Sequence, residues 1–356
     1  MDTLKKINRI LFFLVAVFIL FYYGSSFLIP LIFGVFFASL MTPFANLLER
    51  IKIPRVLSAF ASTLIIFIVV GGILYLVLHQ LTLFLSDISQ IRRELQALIE
   101  TAQTHITNIT NLSLEEQKQI WQERSGQILT ALENQLTRFL GDLAHTALSF
   151  MIVLVYVFLF VYYRKKFFDF VMMYTSEKKK GKNSEVLNKI SKVVYHYLWG
   201  RAKVMTLLGV MYYIAFLFFD IPYALLLTLF GALVTIIPYV GPFISGILPV
   251  FFGLIYLDDV GIIILFTAII VTIQLVESYV FEPLIIGSEV KLNPLMVIIA
   301  IILGGMIWGL AGMVLFVPMF AMFKIVAMHT EGLEPVGILL GTSREKLPEK
   351  TENKQD

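Results

Sequence analysis

The sequence predicts an all-α polytopic membrane protein, with about eight hydrophobic segments and an extracytoplasmic helical hairpin. Three observations predict it. Hydrophobic residues make up 58% of the 356, and mean hydropathy is +0.84, well above a soluble domain. Apolar runs fall at about 10–24, 27–47, 57–84, 144–163, 204–219, 223–257, 260–281 and 294–327. Each is long enough, or nearly so, to cross a bilayer, which asks for about 20 residues. The Lys/Arg-rich segments also alternate along the chain as the positive-inside rule requires.

The first run, Ile10–Tyr23, follows Lys5, Lys6 and Arg9 like a signal peptide. A second run starts at Phe27, directly after Gly24-Ser25-Ser26, so the first is read as an uncleaved span. The turn after the second run carries Arg50, Lys52 and Arg55 around Pro54. With the basic N-terminus and the basic linker 164–203, it is placed on the cytoplasmic side of the plasma (inner) membrane. The Lys178–Lys182 run of that linker would face anionic lipid. Arg201 and Lys203 would snorkel at the border of the fifth span.

Between the third and fourth spans, 85–143 is polar and lies outside. Leu81, Ile88, Leu95, Ala102 and Ile109 repeat every seven residues, with Phe84, Ile91, Leu98 and His105 at the complementary positions. That is a coiled-coil-like seam. Ser113-Leu114-Glu115-Glu116 reads as a capping box opening a second amphipathic helix that runs to about Leu140. The pair packs as a hairpin, an oligomer contact, or both. Asn108 and Asn111 head two sequons that matter only in a glycosylating host.

Beyond Asp220, a turn residue before Ile221-Pro222, two topologies compete. The run 223–257 is overlong and is broken by Pro238-Tyr239-Val240-Gly241-Pro242; the run 294–327 is interrupted at Gly304-Gly305 through Trp308-Gly309, with Gly312 and Pro318 beyond. Either each crosses once, giving eight spans, or both re-enter as hairpins beside six spans. Both place the N- and C-termini in the cytoplasm, the polar tail from His329 being loosely ordered. A broken helix at membrane depth persists only where protein or a water-filled cavity covers its freed backbone groups. Paired Gly/Pro-interrupted segments are also where transporters build their sites. Tight packing alone would equally explain the glycines.

Glu277 is the costliest side chain, near the end of the span 260–281. Gln274, Glu277, Ser278 and Phe281 share one helical face at three- and four-residue spacing. The pattern suits a carboxyl that binds H+ or Na+, with Gln274 as its hydrogen-bonding neighbour; the alternative is an interfacial or structural glutamate. Glu282 precedes Pro283, so the helix is expected to end there with Glu282 at the interface. Candidate pathway residues are thus Glu277, Gln274, Pro238, Tyr239, Gly241, Pro242, Glu282, Pro283, Gly304 and Gly305. Asp258-Asp259 reads as a solvated turn.

The five histidines have no metal-ligand spacing, and no phosphate loop, serine elbow or His-Glu-x-x-His is present. The absence of cysteine excludes disulfides and thiolate chemistry. No enzyme activity, cofactor, metal or nucleic-acid partner is expected.

The chain resembles the autoinducer-2 exporter family of permeases. The resemblance rests on Ile236-Ile237-Pro238-Tyr239-Val240-Gly241-Pro242 with Gly246 and Pro249, and on Gln274-Leu275-Val276-Glu277. It also rests on Glu282-Pro283-Leu284-Ile285-Ile286-Gly287, Leu292-Asn293-Pro294 and the Gly304–Pro318 stretch. Ile53-Pro54-Arg55 and Tyr197 through Gly200-Arg201 fit too, though Arg201 stands where the family often has Gln. The resemblance implies a secondary transporter exporting a small polar solute such as a quorum-sensing signal, in some members a sodium–proton antiporter, and a homo-oligomer. A non-transporting oligomeric scaffold displaying 81–142 is the contrasting reading. The expected organisation is N-terminal spans 1–84, the external segment 85–143, a fourth span 144–163, a basic cytoplasmic linker 164–203, a transport region 204–328 and a polar tail 329–356.

Overall fold

A computed structural model of the chain describes residues 2–87, 93, 114–173, 175, 180–286 and 291–342. Helices follow in order: α1 (Asp2–Tyr23), α2 (Ser25–Arg50), α3 (Arg55–Ser86), α4 (Leu114–Met173), α5 (Lys180–Phe218), α6 (Ala224–Val234), α7 (Val240–Tyr256) and α8 (Val260–Val276). A π-helical segment (Glu277–Ile286) continues α8, and α9 (Pro294–His329) and α10 (Glu334–Leu340) close the series. No strand occurs among the described residues; one isolated bridge pairs Leu292 with Gly341.

Six helices are long and apolar enough to cross a bilayer: α2, α3, Asn134–Met173 of α4, Asn183–Phe218 of α5, α8 with its π extension, and α9. The last qualifies only as the sum of two arms. Trp308 (φ −127°, ψ 15°) and Gly309 (φ 58°, ψ −138°) leave the helical region. Gly304 and Gly312 lie backbone against backbone, so close that a methyl on either would overlap the other. Eight residues of continuous helix would separate them by about 12 Å, so α9 doubles back at Trp308–Gly309. The run 223–257 folds back as well: α6 and α7, 11 and 17 residues long, pack on each other across the turn at 235–239. Eleven residues reach only about 17 Å, short of a bilayer core. Both interrupted segments are therefore helical hairpins, the second of the two topologies, and with α1 six single-rod crossings remain.

Each tip has its own chemistry. At the first, Val240 N–H bonds back to Pro238 O at 2.7 Å around Tyr239 (φ 63°, ψ −49°), a γ-turn of positive φ that a tyrosine rarely adopts. Gly241 then meets the Val234 carbonyl and Thr235 Cα at a distance no Cβ could share. At the second, the Trp308 indole donates to Phe21 O at 2.7 Å, its ring stacked on Phe21 and edge-on to Phe316. The bend at Gly24, between α1 and α2, is where a straight helix would have used that carbonyl.

The chain forms two compact units, 1–64 with 152–203 and 281–356, and 65–151 with 204–280. In the first, α2 lays its small-residue stripe Pro30, Gly34, Ala38, Met41 and Ala45 inward, and Gly34 admits Tyr156 of α4. The two helices run parallel. Phe27 meets Tyr156 near one end, and Arg164 binds Glu49 (2.7 Å) and Asn46 (2.8 Å) at the other. Parallel packing is what two crossings in the same direction require. In the second unit, fully buried Phe266 of α8 sits among Phe216, Phe219 and Gly253.

Four expectations change. The segment 114–173 is one 60-residue helix, so the amphipathic helix and fourth span are continuous, and helix also fills most of the linker 164–203. Pro283 does not end its helix. Wider π winding bonds i to i+5 and relieves the clash of the proline ring with the preceding turn. Arg201 does not snorkel; it is 4% exposed and ion-paired. The tail as far as residue 342 is ordered, because Gly337 of α10 lets that helix close on Met328 and Asn293 N–H bonds to Leu340 O. Asp220 and Asp259 are turn residues as expected, the latter capping α8 through Ile262 N–H. The heptad seam from Ile88 to Ile109, both sequons, Ser113 and Lys178–Lys179 lie outside the described residues.

Candidate functional site

Within the second unit, α5, α7 and α8 bring three polar side chains together. The Gln274 amide nitrogen donates to the Tyr212 hydroxyl and to Ser245 Oγ (2.8 Å), and Ser245 reaches Pro242 O at 3.2 Å. Tyr212 and Ser245 are buried, at 0% and 1% exposure. The amide oxygen of Gln274 is buried with no hydrogen-bond partner. Gly246 stands opposite this amide: a Cβ there would lie 3.4 Å from Gln274 Cγ, so its lack of a side chain makes the space.

Glu277 follows one turn later, 0% exposed, at the first residue of the π segment, close enough to Tyr212 to act on it electrostatically. π turns inside α-helices gather at functional sites, and a buried carboxyl in an apolar span is expensive unless it works. The expected polar face is not uniform, for Ser278 is exposed while Glu277 is buried. Beside Gln274, α7 and α8 enclose an open groove of about 480 Å³ bordered by Pro242, Phe243, Gly246, Ile247 and Leu275.

The first unit holds a separate polar cluster. Arg201 of α5 pairs with Glu282 at 2.9 Å, and its guanidinium lies 5.9 Å from the centre of the Tyr197 ring. Gly200 lets the π segment approach, since a Cβ there would sit 3.2 Å from Ile285 O. Glu282 is thus one end of an inter-helix ion pair, with Pro283 exposed beside it.

Of the ten residues read from sequence, Gln274 and Glu277 lie at the polar network and Pro242 gives it an acceptor and borders the groove. Pro238, Tyr239 and Gly241 shape the first tip; Tyr239 is 54% exposed and takes no part in the network. Gly304 and Gly305 close the arms of the second hairpin, the latter on Met313. Sequence reading missed Tyr212 and Ser245. Their signal was faint: a serine beside a glycine in an apolar helix, and a tyrosine one turn before Phe216. Among the described residues no three His, Asp or Glu side chains converge on a metal-sized space.

Long apolar helices, two back-folded hairpins and a buried carboxyl beside an amide–hydroxyl network define a multi-pass membrane permease. The comparisons carry this to a family: the AI-2E family transporter profile matches residues 11–332, and the chain belongs to that family. It is 26% identical over 313 residues to "Putative transport protein YrrI" of Bacillus subtilis (strain 168), covering 85% of this chain and 86% of that one. It is 22% identical over 322 residues to the AI-2 transport protein TqsA of Escherichia coli (strain K12), covering 89% and 90%.

Proposed function

We propose that this chain is an ion-coupled secondary permease of the inner membrane that exports a small solute, with Glu277 as the coupling group and Gln274, held by Tyr212 and Ser245, as its hydrogen-bonding partner to the solute. The observation that carries the reading is a carboxyl with no exposure, at the onset of a π turn, one turn from a pinned amide. A quorum-sensing signal is a candidate cargo because one relative is named an AI-2 transport protein. Cytoplasmic termini follow from the basic N-terminus and an even number of crossings. A homo-oligomer is part of the proposal.

Sodium–proton antiport is the second reading. The oxygens of Tyr212, Ser245 and Gln274 beside Glu277 are hard donors of the kind that suit such a cation. Proteoliposomes with an imposed pH gradient test both. Glu277→Gln should abolish coupled flux while the protein stays folded and monodisperse. Unchanged flux sinks the assignment, and proton movement driven by Na+ alone selects antiport.

A further inference from the structure

We infer that the groove between α7 and α8 binds a small molecule with an apolar body and one hydrogen-bond donor, such as a medium-chain alcohol or amide, and that Gln274 Oε1 is its acceptor. This rests on reading the second unit as the part that handles solute, and it narrows the expected polar cargo to a different class.

The volume of about 480 Å³ lies within the range of small-molecule sites. Its walls are Phe243, Ile247, Val271 and Leu275, and Gln274 is its one polar side chain among the described residues. Both hydroxyl contacts of the amide are made through its nitrogen, which fixes the orientation of the group and leaves the oxygen as a buried acceptor without a donor. A ligand that brings one N–H or O–H satisfies that oxygen and buries its remainder against the walls. A polyhydroxylated molecule would press further hydroxyls onto apolar surface, where each loses its water without replacement. An alkane fills the space and leaves the acceptor unmet.

The test is photolabelling of the full chain in phosphatidylcholine vesicles with a diazirine derivative of octanol, read by peptide mapping. Crosslinks are expected on residues 242–254 and 270–275, and octanol should displace them about tenfold better than octane, the worth of one hydrogen bond. Glycerol should not displace them. Gln274→Leu should keep the crosslinks but erase the octanol–octane difference. Gly246→Val, which fills the groove without touching the donors, should remove the crosslinks from a folded protein. Equal displacement by octane and octanol, meaning a furrow filled by lipid tails, overturns the proposal. So does displacement by glycerol, protection only on association of two copies, or absence of labelling in these stretches. Labelling is read without flux, so failure here leaves the coupling role of Glu277 standing, and failure of Glu277→Gln leaves the groove standing.

Discussion

The Arg201–Glu282 pair offers an asymmetric test of the first unit. The Arg201 side chain is 5% exposed and that of Glu282 33%. Truncating one partner of a fully buried pair costs about 3–5 kcal/mol, because the other charge stays behind without water. Glu282→Ala strands the buried guanidinium. The one-third exposure of Glu282 lets water share the loss, so the cost falls to about 2–3 kcal/mol. Arg201→Met keeps the volume and leaves a carboxylate that water reaches, at about 1 kcal/mol. The double variant strands nothing and should resemble Arg201→Met, a coupling of about 1–2 kcal/mol. The assay is thermal unfolding in detergent micelles. Fluorescence of half-exposed Trp199, two residues before Arg201, gives a local readout. Tm should fall most for Glu282→Ala and partly recover in the double variant. Equal single effects, or a double variant at their sum, would refute the claim that Arg201 is buried and neutralised by Glu282.

Two further outcomes follow from the hairpins. Gly304→Ala would drive a methyl into the Gly312 backbone and should cost about 2 kcal/mol or more. Gly72→Ala, in α3 with nothing within 4 Å, should stabilise by about 0.5–1 kcal/mol; expression and Tm compare them. Single cysteines at Lys291 and Glu331, exposed at opposite ends of α9, should both react with impermeant maleimide from one face of the membrane. Reaction from opposite faces would mean that α9 crosses after all. The chain carries no native cysteine to confuse the labelling.

Much of this was legible because the informative residues punish the backbone locally. Pro238, Pro242 and the glycines from Gly304 to Gly312 mark both reversals, since neither proline nor clustered glycine suits an uninterrupted helix in lipid. Glu277 announced itself by charge alone. What stayed hidden depended on contacts between distant residues. Arg201 looked like the edge of an apolar window because its partner lies 81 positions away. Pro283 looked like a terminator because a π turn leaves no mark in hydrophobic spacing. Tyr212 and Ser245 resemble ordinary helix residues until Gln274 reaches both. α10 was read as a polar tail because seven residues are too few for a periodicity to stand out.

The bond from Trp308 to Phe21 also has a consequence in time. The two residues are separated by 287 positions. At about 5–20 residues per second, the indole is made roughly 15–60 s after the carbonyl it binds. Through that interval the first two helices sit in the bilayer with an acceptor that the finished protein assigns to the last hairpin. The Gly24 bend can be locked only once the final third of the chain has been inserted, so the N-terminal helix is among the first segments made and among the last to be fixed. Truncations within α9 should therefore loosen the opposite end of the sequence, and hydrogen exchange at residues 20–28 would record it.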